Sequence, residues 1–169
     1  SDLEGIGPTD GALVSFDALS FGGTCQEQVQ RMEVLENMSP TIRYGVTFER
    51  GLRVRFGDRS HHYVSGTASI DAEGNVMHLN DAGLQAKRML ENVDALLGKQ
   101  QASLGDLTYV LLYLRDPSDV DTVMNVVRPA LPEGMPLVVA HGDVCRPTWL
   151  VEMEGVAVTA DSTKYPAFL

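Results

Sequence analysis

Apolar and polar positions change period several times along the chain, and each change marks an element. From Ala82 to Leu97 the apolar residues Leu84, Met89, Leu90, Val93 and Leu97 recur along one side, Asn80 or Asp81 stands where an N-cap belongs, and Gly98 follows. That pattern predicts a helix. Asp116-Pro-Ser-Asp119 starts a second helix, running to about Val127 and stopped by Pro129 and Pro132. The densest apolar run, Tyr109 to Leu114, predicts a buried strand within Asp106–Leu114. Further strands are expected over Arg43–Phe56, with Gly45 and Gly51 as bulges or a turn, and over His62–Ile70. Asp71 to Asn75 then turns the chain into Val76–Leu79. Pro136–Val144 and Trp149–Thr159 read as the last two strands, joined by a turn at Cys145-Arg-Pro-Thr148. Ahead of these, residues 1–10 read as a mobile lead-in and Ala12–Phe21 as a strand. Thr24–Met38 reads as a helix, with Thr24 and Glu27 as a capping box and Met32, Leu35 and Met38 as its apolar stripe.

After residue 43 the order is β-β-β-α-β-α-β-β, which predicts an α+β fold with a mixed sheet and two main helices on one face. Residues 1–42 form an N-terminal extension of strand and helix packing on the core, residues 43–160 the main domain, and residues 161–169 an irregular tail. The 169 residues suffice for one domain with a core of its own. A net charge of −10 with no offsetting basic stripe repels phosphate backbones, so nucleic acid is not an expected partner. No apolar run reaches membrane-spanning length. The two cysteines, Cys25 and Cys145, read as reduced thiols of a cytoplasmic protein. His61 and His62 would face opposite ways on a strand and His78 and His141 stand alone, so no metal site is expected, and no cofactor is called for. The chain does not start with Met, which leaves an upstream domain open.

Candidate chemistry concentrates between His141 and Glu154. Glu152 and Glu154, two apart on a strand, share one face, with Val151 and Met153 on the other. A carboxyl group in a partly apolar cleft holds its proton and can act as a general acid; the alternative is a solvated sheet face. Cys145 stands beside Arg146, and the neighbouring cation favours a thiolate, although lone cysteines more often pack. Arg146 can hold a carboxylate through its planar fork or make a surface ion pair. Arg50 to Arg59 is the densest basic stretch, with four arginines, and within it Arg50, Arg53 and Arg55 alternate as either a clamp for a small anion or a charged edge that discourages aggregation. Ser65, Gly66, Thr67 and Ala68 offer hydroxyls and close backbone approach to a ligand. His141 reads as pocket lining or as a satisfied strand histidine, and Trp149 as core or subunit interface.

An ordered set of residues then resembles a known family. Ser65-Gly66 ends a strand; Gln85 precedes Asn92 by seven, followed by Val93 and Leu97. Gly105-Asp106 opens a strand ending Tyr113-Leu114-x-Asp116, Asn125 lies in the next helix, Pro136 opens a strand, and Val151-Glu-Met-Glu154 with Ala157 closes the domain. This set, over about residues 43–160, resembles the RidA (YjgF) superfamily. The resemblance implies a chorismate-mutase-like fold, a homotrimer and ligand clefts between subunits. Members that hydrolyse enamine or imine intermediates carry an arginine two residues after the proline matching Pro136, and here that position is Val138, which disfavours a 2-iminoacid deaminase. Relatives described as ribonucleases are disfavoured by the charge.

A second set, Gly45…Phe48-x-Arg50-Gly51, Ser65-Gly-Thr-Ala-Ser-Ile70 and Val144-Cys-Arg146 with Glu152, is similar to the C-terminal half of chorismatases, which pair two RidA-like modules. It implies Glu152 as the catalytic acid and Cys145 as the active-site cysteine of the branch making 3-hydroxybenzoate. The substrate would be a small carboxylate, lined by Arg50, Arg146, Ser65, Gly66, Thr67, Ala68, His141 and Val138. The chain is too short for both modules, so it is either one module of something longer or assembles from identical copies. Three functions follow: an acid-catalysed hydrolase or lyase on a carboxylate, an imine deaminase, or a non-catalytic metabolite-binding module.

Overall fold

A computed structural model describes residues 18–45 and 47–168. Its strands are β1 (Val29–Arg31), β2 (Gly51–Arg55), β3 (Arg59–Ala68), β4 (Leu107–Leu114), β5 (Leu137–His141) and β6 (Val151–Ala160), and its helices α1 (Ala82–Gly98) and α2 (Val120–Ala130). They build one sheet in the order β1-β2-β3-β6-β4-β5. β4 and β5 pair in parallel and the other neighbours antiparallel. The parallel pair is joined through α2, as a parallel connection requires. The last strand, β6, inserts between β3 and β4, so residues near both ends of the chain's main domain meet at the sheet centre.

The helices cover one face, as the order of elements led one to expect. Met89, Val93, Leu96 and Leu97 of α1 are buried with Leu112 and Leu114 of β4 and with Val151 and Met153 of β6. Asp81 caps α1 by accepting from the Leu84 amide at 2.8 Å. Leu84 itself is exposed, and the position facing inward beside it belongs to Gln85. Gln85 and Asn92, two turns apart, are fully buried and bind backbone rather than pack against apolar groups. The Asn92 amide donates to the carbonyls of Ala68 and Ile70, both at 3.0 Å. Gln85 donates to Thr148 O at 3.0 Å and accepts from the Leu150 amide at 2.9 Å. One helix thus fixes the exit of β3 and the entry to β6. No helix is long and apolar enough to cross a membrane among the described residues.

The segment ahead of β2 departs from expectation. Thr24–Met38 is not a helix but a 3-10 turn at Gln26–Gln28, the short strand β1 and further turns. The capping residue is off by one: Gln28 reaches back to the Cys25 amide at 2.9 Å, while Thr24 donates to Phe21 O. Met32, Val34 and Met38 are buried, and Leu35, the expected stripe member, is 51% exposed. Pairing of β1 with β2 supplies long-range backbone bonds that an isolated helix of weak periodicity cannot match. Residues 41–44 form another 3-10 turn closed by Gly45 at φ 78, so β2 starts only at Gly51. Val76 keeps a single bridge to Ile70, because His78 and Asn80 take positive φ and break the extended run. The expected strand at Ala12–Phe21 lies largely outside the described residues; Leu19 to Phe21 is not extended into a sheet.

The tail is irregular but packed. Gly57 donates to Pro166 O at 2.7 Å, and the Phe168 ring packs at a steep tilt against His61 and edge-on against Phe56, with centroids 4.5 and 4.9 Å apart. At its start Asp161 accepts from Ser60 at 2.6 Å and from Arg53 at 2.9 Å. The Ser60 hydroxyl, with the Ser162 amide and Arg53, holds the Asp161 carboxyl down at about 2. A carboxyl whose folded-state value is depressed stabilises the fold above its unfolded value and loses that contribution as pH falls toward the folded one. The stability difference between wild type and Asp161→Asn is therefore expected to shrink between about pH 4 and pH 2, read from urea unfolding across that range. By the same measurement at neutral pH, Asn92→Ala is expected to cost about 1–3 kcal/mol, since it removes two buried hydrogen bonds, to the carbonyls of Ala68 and Ile70.

Candidate active site

β6 alternates: Val151 and Met153 point to the helices, Glu152 and Glu154 to the opposite face. Glu152 stands across from Ala68 on β3 and from Tyr113 on β4. Between Val64 and Thr67 the register of β3 against β6 shifts, and Gly66 lies in that irregularity. A Cβ on Gly66 would collide with the Glu152 carboxyl group. Glycine at this one position therefore makes the room that the acid side chain occupies.

Glu152 opens onto a cavity of about 580 Å³. Ser65, Gly66, Ala68 and Ile70 form one wall, Phe48 and Arg50 a second, and Cys145, Arg146 and Trp149 a third. Arg50 is 5% exposed, donates to Ser39 O at 3.1 Å and lies 5.3 Å from the Phe48 ring centroid. Burial lowers its guanidinium to about 10, opposed by the negative charge of Glu152, so it stays cationic at neutral pH. Burial raises the Glu152 carboxyl, the charge of Glu154 raises it further, and Arg50 pulls the other way. Glu154 differs from its neighbour in accepting a hydrogen bond from the Tyr113 hydroxyl at 2.8 Å. Two carboxyl groups on one strand face thus stand in unlike surroundings, a pattern that separates acid and base roles.

The third wall is a loop, and two side chains hold it. Arg115, at the end of β4, donates to Trp149 O at 3.0 Å, to Arg146 O at 2.8 Å and to Asp143 at 3.1 Å. Gln85 fixes Thr148 and Leu150 from below. Arg146 lies over the Trp149 ring at 5.5 Å, and Cys145 is exposed at the rim. Trp149, read as core or interface, is both buried and part of the wall.

Of the residues singled out in the sequence, Arg50, Ser65, Gly66, Ala68, Cys145, Arg146 and Glu152 meet at this cavity. Thr67 does not line it: it is fully buried opposite Met153, on the helix side, and donates to Ser65 O at 2.9 Å. Val138 and His141 lie exposed on β5, the edge strand beyond β4, so within one chain neither reaches Glu152. Arg53 and Arg55 are bound to Asp161 and belong to the tail node rather than to a ligand clamp. Phe48, Ile70 and Arg115 were not singled out. Phe48 and Ile70 stood inside quoted motifs, whereas Arg115 gave no signal, because its role exists only through the loop it binds.

Residues 56–159 match the family model described as Endoribonuclease L-PSP. The chain belongs to this family, the RidA/YjgF superfamily. It is 31% identical over 96 residues to 3-aminoacrylate deaminase RutC of Acinetobacter baylyi, an alignment covering 56% of this chain and 76% of that one. It is 30% identical over 179 aligned positions to a chorismatase of Streptomyces rapamycinicus, covering 92% of this chain and 53% of the other. The chain thus spans about half the length of that relative. A chorismatase crystal structure superposes with a TM-score of 0.68 at 23% identity over 76% of this chain and 43% of its own. RidA from an Antarctic Psychrobacter superposes at 0.61 and 22% identity over 77% and 99%. These likenesses show the RidA-type fold, in line with the mixed sheet and one-sided helices.

Gly66→Ala is expected to push the Glu152 carboxyl group aside into the cavity at a cost of no more than about 1 kcal/mol in urea unfolding, because the collision falls on the end of a flexible side chain. Adding Glu152→Ala should recover most of that loss, because the collision partner is then gone. A purely additive double variant would show that Gly66 is constrained by something other than Glu152.

Proposed function

We propose that this cavity binds a small carboxylate and that Glu152 acts in it as a general acid, in a chorismatase-like hydrolysis or elimination. The observation that carries the reading is Glu152 itself. It is a half-buried carboxyl, raised by burial and by Glu154, facing a mostly apolar cavity that also holds two guanidinium groups. A carboxyl raised by burial and a neighbouring anion is suited to donate a proton as a general acid. Arg50 and Arg146 suit the carboxylates of the substrate, and the Phe48 and Trp149 rings suit a flat ring between them. Chorismate, a dicarboxylate enol ether, has both features. In this scheme the Glu152 proton adds to the enol-ether methylene carbon, and water then attacks the resulting oxocarbenium carbon. Collapse of the hemiketal breaks the carbon–oxygen bond and frees a ketoacid and an alcohol. The ionised Glu152 is restored by the proton that the water loses.

The same reading includes a trimer with the cavity at a subunit boundary. The sheet face away from the helices carries Tyr109 on β4 and Val138 on β5, 45% and 55% exposed, on the same face as Glu152 and Glu154. Exposed apolar side chains on that face suit burial by further copies. A second reading, imine hydrolysis, draws on the RutC relative, but Val138 offers no carboxylate partner where deaminating members carry arginine.

Turnover of chorismate by the purified chain should fall at least ~100-fold in Glu152→Gln with binding retained. Arg146→Met should mainly raise KM. Consumption of chorismate, followed by loss of its absorbance, measures both. Turnover unchanged in Glu152→Gln would sink the general-acid role, and acceleration of 2-iminoacid hydrolysis would favour the second reading instead.

A further inference from the structure

Tyr113 and Glu154 are the other members of the polar set on the open sheet face, and neither lines the cavity. Their placement follows from register. Tyr113 pairs with Glu152, and Leu111 with Glu154, so the Tyr113 side chain stands beside both carboxyl groups. Its hydroxyl donates to Glu154 at 2.8 Å. Among the described residues no group donates a hydrogen bond to Glu152. The tyrosine has therefore selected one carboxylate of the two. We propose that Tyr113 and Glu154 are positioning residues for Glu152: the hydroxyl anchors Glu154 two residues along β6, so that a negative charge is held in a fixed place beside the Glu152 carboxyl group.

This inference rests on the general-acid reading and deepens it. Burial raises the Glu152 carboxyl first, the anchored Glu154 anion adds to that, and Arg50 pulls the other way. The charged and titratable groups around Glu152 are Arg50 ahead of β2, Tyr113 on β4, Cys145 and Arg146 in the loop before β6, and Glu154 on its own strand. Of these, Glu154 is the one anion. Tyr113 can serve as a permanent donor, since burial first and the bond to Glu154 next push its phenol up to about 12. The hydrogen bond fixes where the Glu154 carboxylate stands on the sheet face. On substrate binding, the ligand carboxylates engage the arginines and weaken their pull on Glu152, leaving the Glu154 charge to act with less opposition.

The test is a direct titration. Full-length protein labelled with carbon-13 at the glutamate side-chain carboxyl carbons is titrated by NMR, and the Glu152 signal is assigned by its loss in Glu152→Gln. In Glu154→Gln, which keeps an acceptor for Tyr113 and removes the charge, the Glu152 midpoint should move to lower pH. Tyr113→Phe should move it in the same direction by less, because Glu154 remains charged but is no longer held. A Glu152 midpoint unchanged in Glu154→Gln overturns the proposal. Where chorismate is turned over, the alkaline limb of its pH–rate profile should move down with the NMR midpoint, and a fixed limb beside a moved midpoint also counts against the pair. Absence of turnover in the wild type would count against the function reading alone, since the NMR titration reads the pair without substrate. Unfolding curves of both variants separate these effects from a general loss of fold, which would not shift one glutamate selectively.

Discussion

Everything at the candidate site depends on the period-two alternation of β6 at the centre of the sheet. β6 is hydrogen-bonded on both sides, to β3 and to β4, and its helix-facing residues Val151 and Met153 are fully buried. A one-residue slip would put Glu152 and Glu154 into the apolar layer under α1 and expose Val151 and Met153. The cost of burying two carboxylates without partners far exceeds any local preference, so the register is set by the core and the acid's direction comes with it. Glu152 is thus directed toward the cavity by backbone pairing and packing.

The other walls are set by α1 and Arg115 in a comparable way. Gln85 and Asn92 are buried amides that bond to loop backbone on either side of Glu152. Buried amides in a helix are costly unless bonded, and here Gln85 and the Asn92 Nδ2 group bond to the segments that carry Ala68, Ile70 and Trp149. Loop and strand ends that would otherwise move are tied to the most rigid part of the fold. Arg115 does the same for Arg146 and Trp149 from the end of β4. A cavity built on irregular backbone therefore keeps a defined shape.

Much of this was legible in the amino-acid sequence where signals are local. α1, α2, β3, β4 and β6 each have strong periodicity or a cap and stop, and their bounds fall within a few residues of expectation. The main failure falls in residues 24–56, where local pattern and long-range pairing disagree: the Thr24–Met38 stretch has helical spacing, but β1 is stabilised by β2, twenty residues away. For the site, Glu152, Arg50 and Cys145-Arg146 stood out by residue type and resemblance. Thr67 was mistaken for lining because a register shift between Val64 and Thr67 turns it to the core, which no period-two reading foresees. Val138 and His141 are near Glu152 in sequence order but lie on an edge strand, with β4 between.

The partnership of Tyr113 with Glu154 was the least legible feature, and it shows where such reading stops. Glu152 and Glu154 have identical side chains, equal spacing from the core residues and the same strand face. Nothing in the segment Val-Glu-Met-Glu distinguishes them. The distinction comes from three distant residues: Gly66 makes room for one carboxyl, Arg50 approaches that same one, and Tyr113 bonds to the other. Chemical roles are therefore assigned to like residues by the sheet pairing that surrounds them. Exchanging the neighbours, not the glutamates, would exchange the roles.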